Sequence, residues 1–545
     1  MRHTSPLTRD RPRYRPVADR LGNLAGWSAL LLTLALLVFG PASSQAIAKE
    51  QAEGKRPNIV FILADDLGYS DIAPYGAVKI ETPHLQQLAD QGMRFTQMHN
   101  TSKCFPSRAV VLTGVYAQQN NMWNNHGEFD HAVTMGRVLN DAGYVTIAAG
   151  KHHGDQNLYN LGFDHYYGLR DGASNYFNPG DKRPSDPGKP AQKGFAYPPG
   201  RVFCFDDKTV KGYTPDDPDF YMTDNFTDWS LKLMKQHEDE QKPVFLYLAY
   251  TAPHDPLQAW SEDIKKYEGK FDEGFGSIRQ ARYQKQLKMG LLDEETFPLS
   301  EAAHRDWDEL SQSQKRDQSR RMEVYAAMID RMDQNIGRVM DYLKRQGELD
   351  NTVFMFASDN GASAEVVKIG DGKIGSMTRW ASLKKDWANV GNTPFRYYKN
   401  FSYQGGIATP FIVRWPGRTE PGSVNHTMAH FIDIMPTVVD IANAEYPERH
   451  EGDKVVPMQG RSLVPAFKGK HLQRNEPIYW QWSDGKAIYD DGWKLVTEGN
   501  NNWQLFNLRR DRSETNDLID SRSDKARQLK KQWREWWQST AKYRN

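Results

Sequence analysis

Cysteine is nearly absent. The 545 residues contain two, Cys104 and Cys204, which cannot build a disulfide framework. No Cys/His cluster suggests zinc. Long apolar runs are also scarce. One stretch, Trp27 to Phe39, is strongly apolar, and it is short for a bilayer span. A dominant charge is missing as well: 70 Lys and Arg face 69 Asp and Glu, for a formal net charge of +1. No global basic field exists to gather nucleic acid, so an anionic ligand must be held by local cations. Internal repeats and low-complexity tracts do not occur. Present instead are 39% hydrophobic and 12% aromatic residues, in a chain long enough to bury a large core and to suggest more than one folding unit.

The first 48 residues read as an export signal. Six Arg (Arg2, Arg9, Arg11, Arg13, Arg15 and Arg20) precede the apolar run, and Ala46-Ile47-Ala48 offers a cleavage site of the A-x-A kind. The expectation is export to a periplasm or to the medium. The alternative fate is an uncleaved anchor, and that segment is the only membrane contact expected. Two Asp offset the six Arg, so removing this net +4 leaves about −3 for the remainder.

Four apolar runs end in polar clusters. Asn58 to Ala64 runs into Asp65-Asp66, and Val145 to Ala149 into Gly150-Lys151-His152-His153. Val244 to Tyr250 runs toward Pro253-His254, and Thr352 to Ala357 into Ser358-Asp359-Asn360. Continuous rather than alternating hydrophobicity predicts strands covered on both faces, as in a parallel sheet. Helical patterns lie between them, one starting at Thr82-Pro83-His84-Leu85 and one from Arg321 to Leu343. The predicted fold class is α/β, a mostly parallel central sheet covered by helices. Its polar residues fall at the carboxyl ends of strands, where open α/β sheets place ligands.

Residues 170–225 are rich in Pro, Gly, Asp and aromatics and read as long loops, a candidate substrate rim. Cys204 falls there and reads as a small neutral loop residue. Short strand-like pieces beyond residue 470 (Pro477 to Trp482, Ala487 to Tyr489, Trp493 to Val496, Trp503 to Asn507), followed by the Lys525 to Trp537 pattern, predict a small antiparallel sheet and a closing helix. The expected organisation is a signal over 1–48, a catalytic α/β domain over 56–465 and a small α+β subdomain over 470–545.

Adjacent carboxylates at the end of a buried strand repel and lose hydration, so something must neutralise them. Asp65-Asp66 alone also suits a strand-ending turn. With Asp359-Asn360 after a second strand, the oxygen-rich pairs point to a hard divalent cation, calcium or magnesium. In Cys104-Phe105-Pro106-Ser107-Arg108, Pro106 suits the first turn of a helix. That places Cys104 where free amides and the dipole favour an oxyanion, with Arg108 one turn on.

The string CFPSRAVVLTG over 104–114 resembles the signature of type I sulfatases, members of the alkaline phosphatase-like superfamily. Its Cys-x-Pro-x-Arg core is intact, while Phe105 stands where a small residue is usual. GYVTIAAGKHH over 143–153 is similar to the second sulfatase signature, with His152 at a position that is usually aromatic. Pro253-His254-Asp255-Pro256 resembles the family's Pro-His-x-Pro. KNFSYQGG over 399–406 resembles Lys-x-x-x-Tyr-x-Gly-Gly, with Gln404 in place of a frequent Glu.

The resemblance implies that a maturation enzyme converts Cys104 to formylglycine, whose hydrate is the nucleophile. It implies calcium held by Asp65, Asp66, Asp359, Asn360 and the residue at 104. Lys151 would bind sulfate, and His153, favoured over His152 by spacing, would hold or deprotonate the hydrate. His254 and Lys399 would contact the sulfate and the leaving oxygen. The expected function is an exported sulfatase acting on sulfate monoesters, with sulfated carbohydrates as the expected substrates. The rival readings are a phosphonate or phosphate ester hydrolase of the same superfamily, and a non-catalytic protein that binds sulfated glycans. His84, His99, His126 and His430 receive no role, although His126 and the neighbouring Trp123-Asn124-Asn125 are candidates for lining the pocket.

Overall fold

The computed structural model describes residues 55–544 apart from 125–126, 194–200, 471 and 500–501. The export segment and His126 lie outside the described residues. Eleven strands form the main sheet: β1 (Asn58–Asp65), β2 (Met93–His99), β3 (Val145–Gly150), β4 (His165–Leu169), β5 (Val202–Phe205), β6 (Lys208–Lys211), β7 (Val244–Pro253), β8 (Thr352–Ser358), β9 (Ala408–Arg414), β10 (Ser423–Asn425) and β11 (Ala429–His430). Their spatial order is β10-β2-β9-β8-β1-β7-β3-β4-β5-β6, with β11 also on β2. The centre, β8-β1-β7-β3-β4, is parallel. Antiparallel pairing enters at β9 on one side and at β5 and β6 on the other.

The parallel centre follows from its apolar runs. Every residue of β1 is buried. Val60, Ile62 and Ala64 pack on one face with Phe226 and Leu233 of the Met222–Gln236 helix and Val324, Met328 and Met332 of the Gln312–Arg345 helix. Ile59, Phe61 and Leu63 pack on the other with Val110 to Leu112 of the Cys104–Thr113 helix and with Ile434 to Val438. Each fully buried Ile, Leu or Phe contributes about 1.5–3 kcal/mol, so a strand buried on both faces holds its register firmly. The long helix starts earlier than the Arg321 pattern suggests. Ser311 caps it, and Gln314 returns the hydrogen bond, but its first turns are polar and carry no periodic signal.

The last strands form a four-stranded antiparallel meander, Ile478–Trp482, Gly485–Asp490, Trp493–Thr497 and Gln504–Asn507. One face carries Ile478, Trp480, Val496 and Phe506 against Tyr403 and Ile407. The other carries Ile488, Leu495 and Leu505 against Ala526, Leu529 and Trp533 of the Ser523–Ser539 helix.

Residues 170–225 depart from the expectation of loops throughout. The β5–β6 hairpin extends the main sheet, and a helix begins at Met222. Cys204 accordingly sits in β5, fully buried, with Sγ 4.0 Å from Thr209 Oγ1. The remaining stretch is tied down. The Tyr176 hydroxyl lies 2.7 Å from the Thr251 carbonyl and 2.9 Å from that of His254. Asn175 reaches the carbonyls of Ala191 and Met377.

Candidate active site

β1 and β8 are parallel neighbours with Ala64 opposite Ser358, so the residues that follow them meet. The Asp359 amide donates to the Ala64 carbonyl at 3.1 Å, and the Asp66 amide donates to Asp359 Oδ1 at 3.3 Å. Asp66 has φ 63°, a left-handed conformation that Asp tolerates better than most residues. The Cys104–Thr113 helix starts at the same point, and Cys104 Sγ lies within 4.8 Å of oxygens of both Asp65 and Asp359. Lys103 precedes it in an extended conformation with no side-chain cap. The helix's first amides and its positive dipole end therefore face the cluster.

Arg108 ties the strand ends together. Its Nε donates to Asp359 Oδ2 at 2.8 Å, and one terminal nitrogen donates to the Lys151 carbonyl at 2.7 Å. The other lies 3.4 Å from the Tyr250 carbonyl and 3.8 Å from Asp65 Oδ2. It is 1% exposed. Its partners are the carboxylates and backbone at the ends of β1, β3, β7 and β8.

Two buried lysines complete the cluster. Lys151 Nζ is 2.5 Å from Asp65 Oδ2, and Lys399 Nζ is 2.8 and 2.9 Å from the two Asp66 oxygens. Asn360 Nδ2 donates to Asp66 Oδ1 at 2.6 Å. Two buried oxygens still have no hydrogen-bond partner, Asp65 Oδ1 and Asn360 Oδ1. A buried acceptor left unpaired costs about 1–3 kcal/mol, and these two sit on the two oxygen pairs expected to hold a cation. The donors at these four positions are carboxylates and an amide oxygen. They fit a hard divalent ion such as calcium or magnesium.

Proton affinities follow this crowding. Burial works against the Asp65 carboxylate, yet Lys151, His254 and Arg108 hold it below the usual carboxylate range. Asp359 is pushed up to about 7, first by burial and then by Asp65. Burial opposes the His254 imidazolium, but Asp66 and Asp65 raise it to about 9. Its Nδ1 donates to the Asp255 carbonyl at 2.6 Å, which leaves Nε2 3.5 Å from Asp66. Burial likewise opposes the Lys399 ammonium, which Asp66 and Glu365 hold well above its ordinary value.

Burial, then Lys151 and Arg108, keep His153 well below the ordinary imidazole value. Its φ is 60°, its Nδ1 lacks a partner, and its ring stands edge-on to Phe105 at 5.5 Å. His152 is turned away, stacked on Phe129 at 6.0 Å, with burial lowering it to about 3. Phe105 is buried with Ala109 and Met122. Its bulk therefore lies in an apolar niche beside the helix.

All ten candidate residues are described, and nine of them are linked by the contacts above, with His153 joined through Phe105 and the field of Lys151. Glu365 had no sequence signal. Its carboxylate is 3.3 Å from both Lys399 and Lys103 and lies within 4.8 Å of His254 and Asp255 atoms. It follows Asp359 on an irregular segment, where no periodicity marks it. Gln404 Oε1 lies 2.9 Å from His99 Nε2, while His99 Nδ1 faces the Ala429 carbonyl at 3.2 Å. Burial keeps His99 neutral, at about 4, so it carries one N–H. Trp123 packs edge-on against Trp537 at 6.2 Å.

Comparison with known proteins adds independent evidence. Residues 57–444 match the family model described as Sulfatase, and residues 394–540 match N-sulphoglucosamine sulphohydrolase, C-terminal. An uncharacterized sulfatase of Schizosaccharomyces pombe is 32% identical over 533 residues, covering 89% of this chain and 94% of that protein. The arylsulfatase of Klebsiella aerogenes is 33% identical over 464 residues, 78% of this chain and 95% of that one. Among solved structures, Ps i-CgsB in complex with k-i-k-neocarrahexaose superposes with a TM-score of 0.65 at 25% identity, covering 88% of this chain and 93% of that chain.

Proposed function

The chain belongs to the sulfatase family and hydrolyses sulfate esters, and from that premise we propose an exported, calcium-dependent enzyme that acts on sulfated carbohydrates with formylglycine at position 104. The observation that carries this reading is Cys104 at a helix start, within 4.8 Å of Asp65 and Asp359 oxygens, in a cluster where Asp65 Oδ1 and Asn360 Oδ1 are unpaired. Formylglycine would supply a hydrated aldehyde to attack sulfur, and calcium on Asp65, Asp66, Asp359 and Asn360 would supply positive charge beside it.

The chain's own residues account for the remaining chemistry. Lys151 and Lys399 now neutralise Asp65 and Asp66. With a cation doing so, both ammoniums are free to bind sulfate oxygens. His254 holds its proton at Nε2, because Nδ1 is committed to the Asp255 carbonyl. It is the donor to the departing alcohol oxygen, with Lys399 beside it. His153, neutral through burial and Lys151, is the proton acceptor. Arg108 positions Asp359.

A carbohydrate substrate is supported by the complexed neighbour and by the second family match. It is also supported by a cavity of about 350 Å³ where Phe177 and Trp260 meet edge-on at 4.9 Å beside Arg320 and Lys373. Aromatic faces with nearby cations suit an anionic sugar. Export rests on the arginine-rich, apolar and Ala-x-Ala sequence of the first 48 residues. Peptide mass spectrometry of protein made beside a maturation enzyme is expected to find an aldehyde at 104, in a fraction that tracks turnover on a panel of sulfated sugars. Active protein carrying only thiol there overturns the reading.

A further inference from the structure

Away from the catalytic groups, two histidines face each other at the amino end of β4. His165 Nε2 is 2.8 Å from His237 Nε2. Each ring is backed by a carboxylate on its other nitrogen: His165 Nδ1 lies 3.2 Å from both Asp206 oxygens, and His237 Nδ1 contacts Glu240 Oε1 closely. Neither ring nor carboxylate belongs to the catalytic cluster.

Donor accounting makes this arrangement incomplete. Ionised carboxylates only accept hydrogen bonds, so both Nδ1 atoms must carry hydrogen. A neutral imidazole has one N–H. Both Nε2 atoms are then bare lone pairs pointing at each other at 2.8 Å, and something positive must lie between them. The surroundings favour a cation. Among the described residues, the ammonium paired with these carboxylates is Lys242, 2.9 Å from Glu240. His237 also caps the carboxyl end of the Met222–Gln236 helix, the negative end of its dipole.

We infer that His165 and His237 form a binding site for a divalent transition-metal ion of the zinc class, with the two Nε2 atoms as ligands and water completing the shell. A carboxylate behind each imidazole fixes the tautomer that presents Nε2 and raises its basicity, the usual support of a metal-bound histidine. Zinc–nitrogen bonds of about 2.0–2.1 Å need the ring nitrogens to separate to roughly 3.3 Å in a tetrahedral shell. The rings can move, since their side chains are 22% and 19% exposed. Two imidazoles suit zinc, nickel or copper, whereas the all-oxygen metal positions of the catalytic cluster suit calcium or magnesium.

The test is calorimetric titration of zinc chloride into the full chain, saturated with calcium to occupy the oxygen-ligand site. One equivalent of zinc is expected in wild type. It should vanish in His165→Ala and in His237→Gln, with arylsulfate turnover unchanged in both. Glu240→Gln should weaken binding about 10–100-fold while keeping both ligands. His237→Gln serves as the readout where His165→Ala disturbs β4. Absence of the zinc equivalent in wild type, which would leave a shared proton between the rings, overturns the proposal. So does zinc binding that survives loss of either histidine.

Discussion

Two lysines, Lys399 and Lys494, are buried to 2% and 0% exposure and respond in opposite ways. Lys494, in the C-terminal meander, is lowered: burial outweighs its pairing with Glu514. Lys399, in the catalytic cluster, is raised well above its ordinary value despite the same burial, because Asp66 and Glu365 both face it. The Lys494 pair is complete. Its Nζ meets Glu514 Oε1 at 2.5 Å and the Ser402 carbonyl at 2.7 Å, and Glu514 Oε2 accepts from the Gln404 amide at 2.8 Å. It fastens the segment that carries Lys399 to the terminal sheet. The catalytic cluster is different: it gathers four carboxylates, Asp65, Asp66, Asp359 and Glu365, and leaves two oxygens unpartnered. Saturated burial marks a structural pair, and unsatisfied burial marks a place where a ligand belongs.

The largest effect that separates the regions is expected from Cys104→Ala. Loss of the proposed nucleophile should lower kcat by roughly 10⁴-fold or more, with little change in thermal midpoint, because one small buried atom is removed. Turnover and a melting curve on the same sample check this. Lys494→Met should do the reverse, lowering stability while each folded molecule keeps its turnover.

Asp359→Ala and Glu514→Ala sharpen the contrast. Each strands a buried cation, Arg108 or Lys494, and each should cost about 3–5 kcal/mol of unfolding free energy. Only Asp359→Ala should also abolish calcium binding, read by calorimetry. Equal calcium affinity in the two variants breaks the comparison. Chelation of wild type should lower activity and leave the Glu514 pair unaffected.

His254→Ala should reduce kcat/KM about 10²–10⁴-fold for poor alcohol leaving groups and much less for activated aryl sulfates, which need little protonation. A matched panel of sulfate, phosphate and phosphonate esters reads this, with sulfate expected to win. Because the fold raises His254 from 6.5 to about 9, it favours the protonated ring. That stabilisation is fully present below pH 6.5 and lost as pH rises through about 9. Denaturant titrations of metal-free protein should show the decline, and His254→Gln should flatten it.

The smallest effect is expected at Phe105. Phe105→Leu keeps apolar volume but removes the ring edge from His153. Such an edge contact contributes about 0.5–1.5 kcal/mol, so kcat should fall by no more than about tenfold, with its pH profile displaced because His153 is less firmly placed.

Much of this was legible from the chain. The strands β1, β3, β7 and β8 were readable because burial on both faces demands unbroken apolar runs, and polar residues at their ends stood out against them. The two oxygen-rich pairs and Cys104 were legible for that reason and through spacing that resembles a known signature. The β5–β6 hairpin was not, since four-residue strands at a sheet edge need little hydrophobicity and carry little pattern. Arg108 was expected one turn beyond Cys104. Its partners, the Asp359 carboxylate and the Lys151 carbonyl, depend on where three strands end.

Local sequence therefore determined that β1, β3, β7 and β8 are strands, that their ends carry charge and that a helix begins near Cys104, because periodicity and turn chemistry act over a few residues. Only the tertiary structure decided that Glu365 joins Lys399, that Gln404 faces a neutral His99, and that His165 meets His237 across 72 positions of chain. Those contacts depend on sheet order and on the lengths of the connections, and neither leaves a mark on the residues that finally touch.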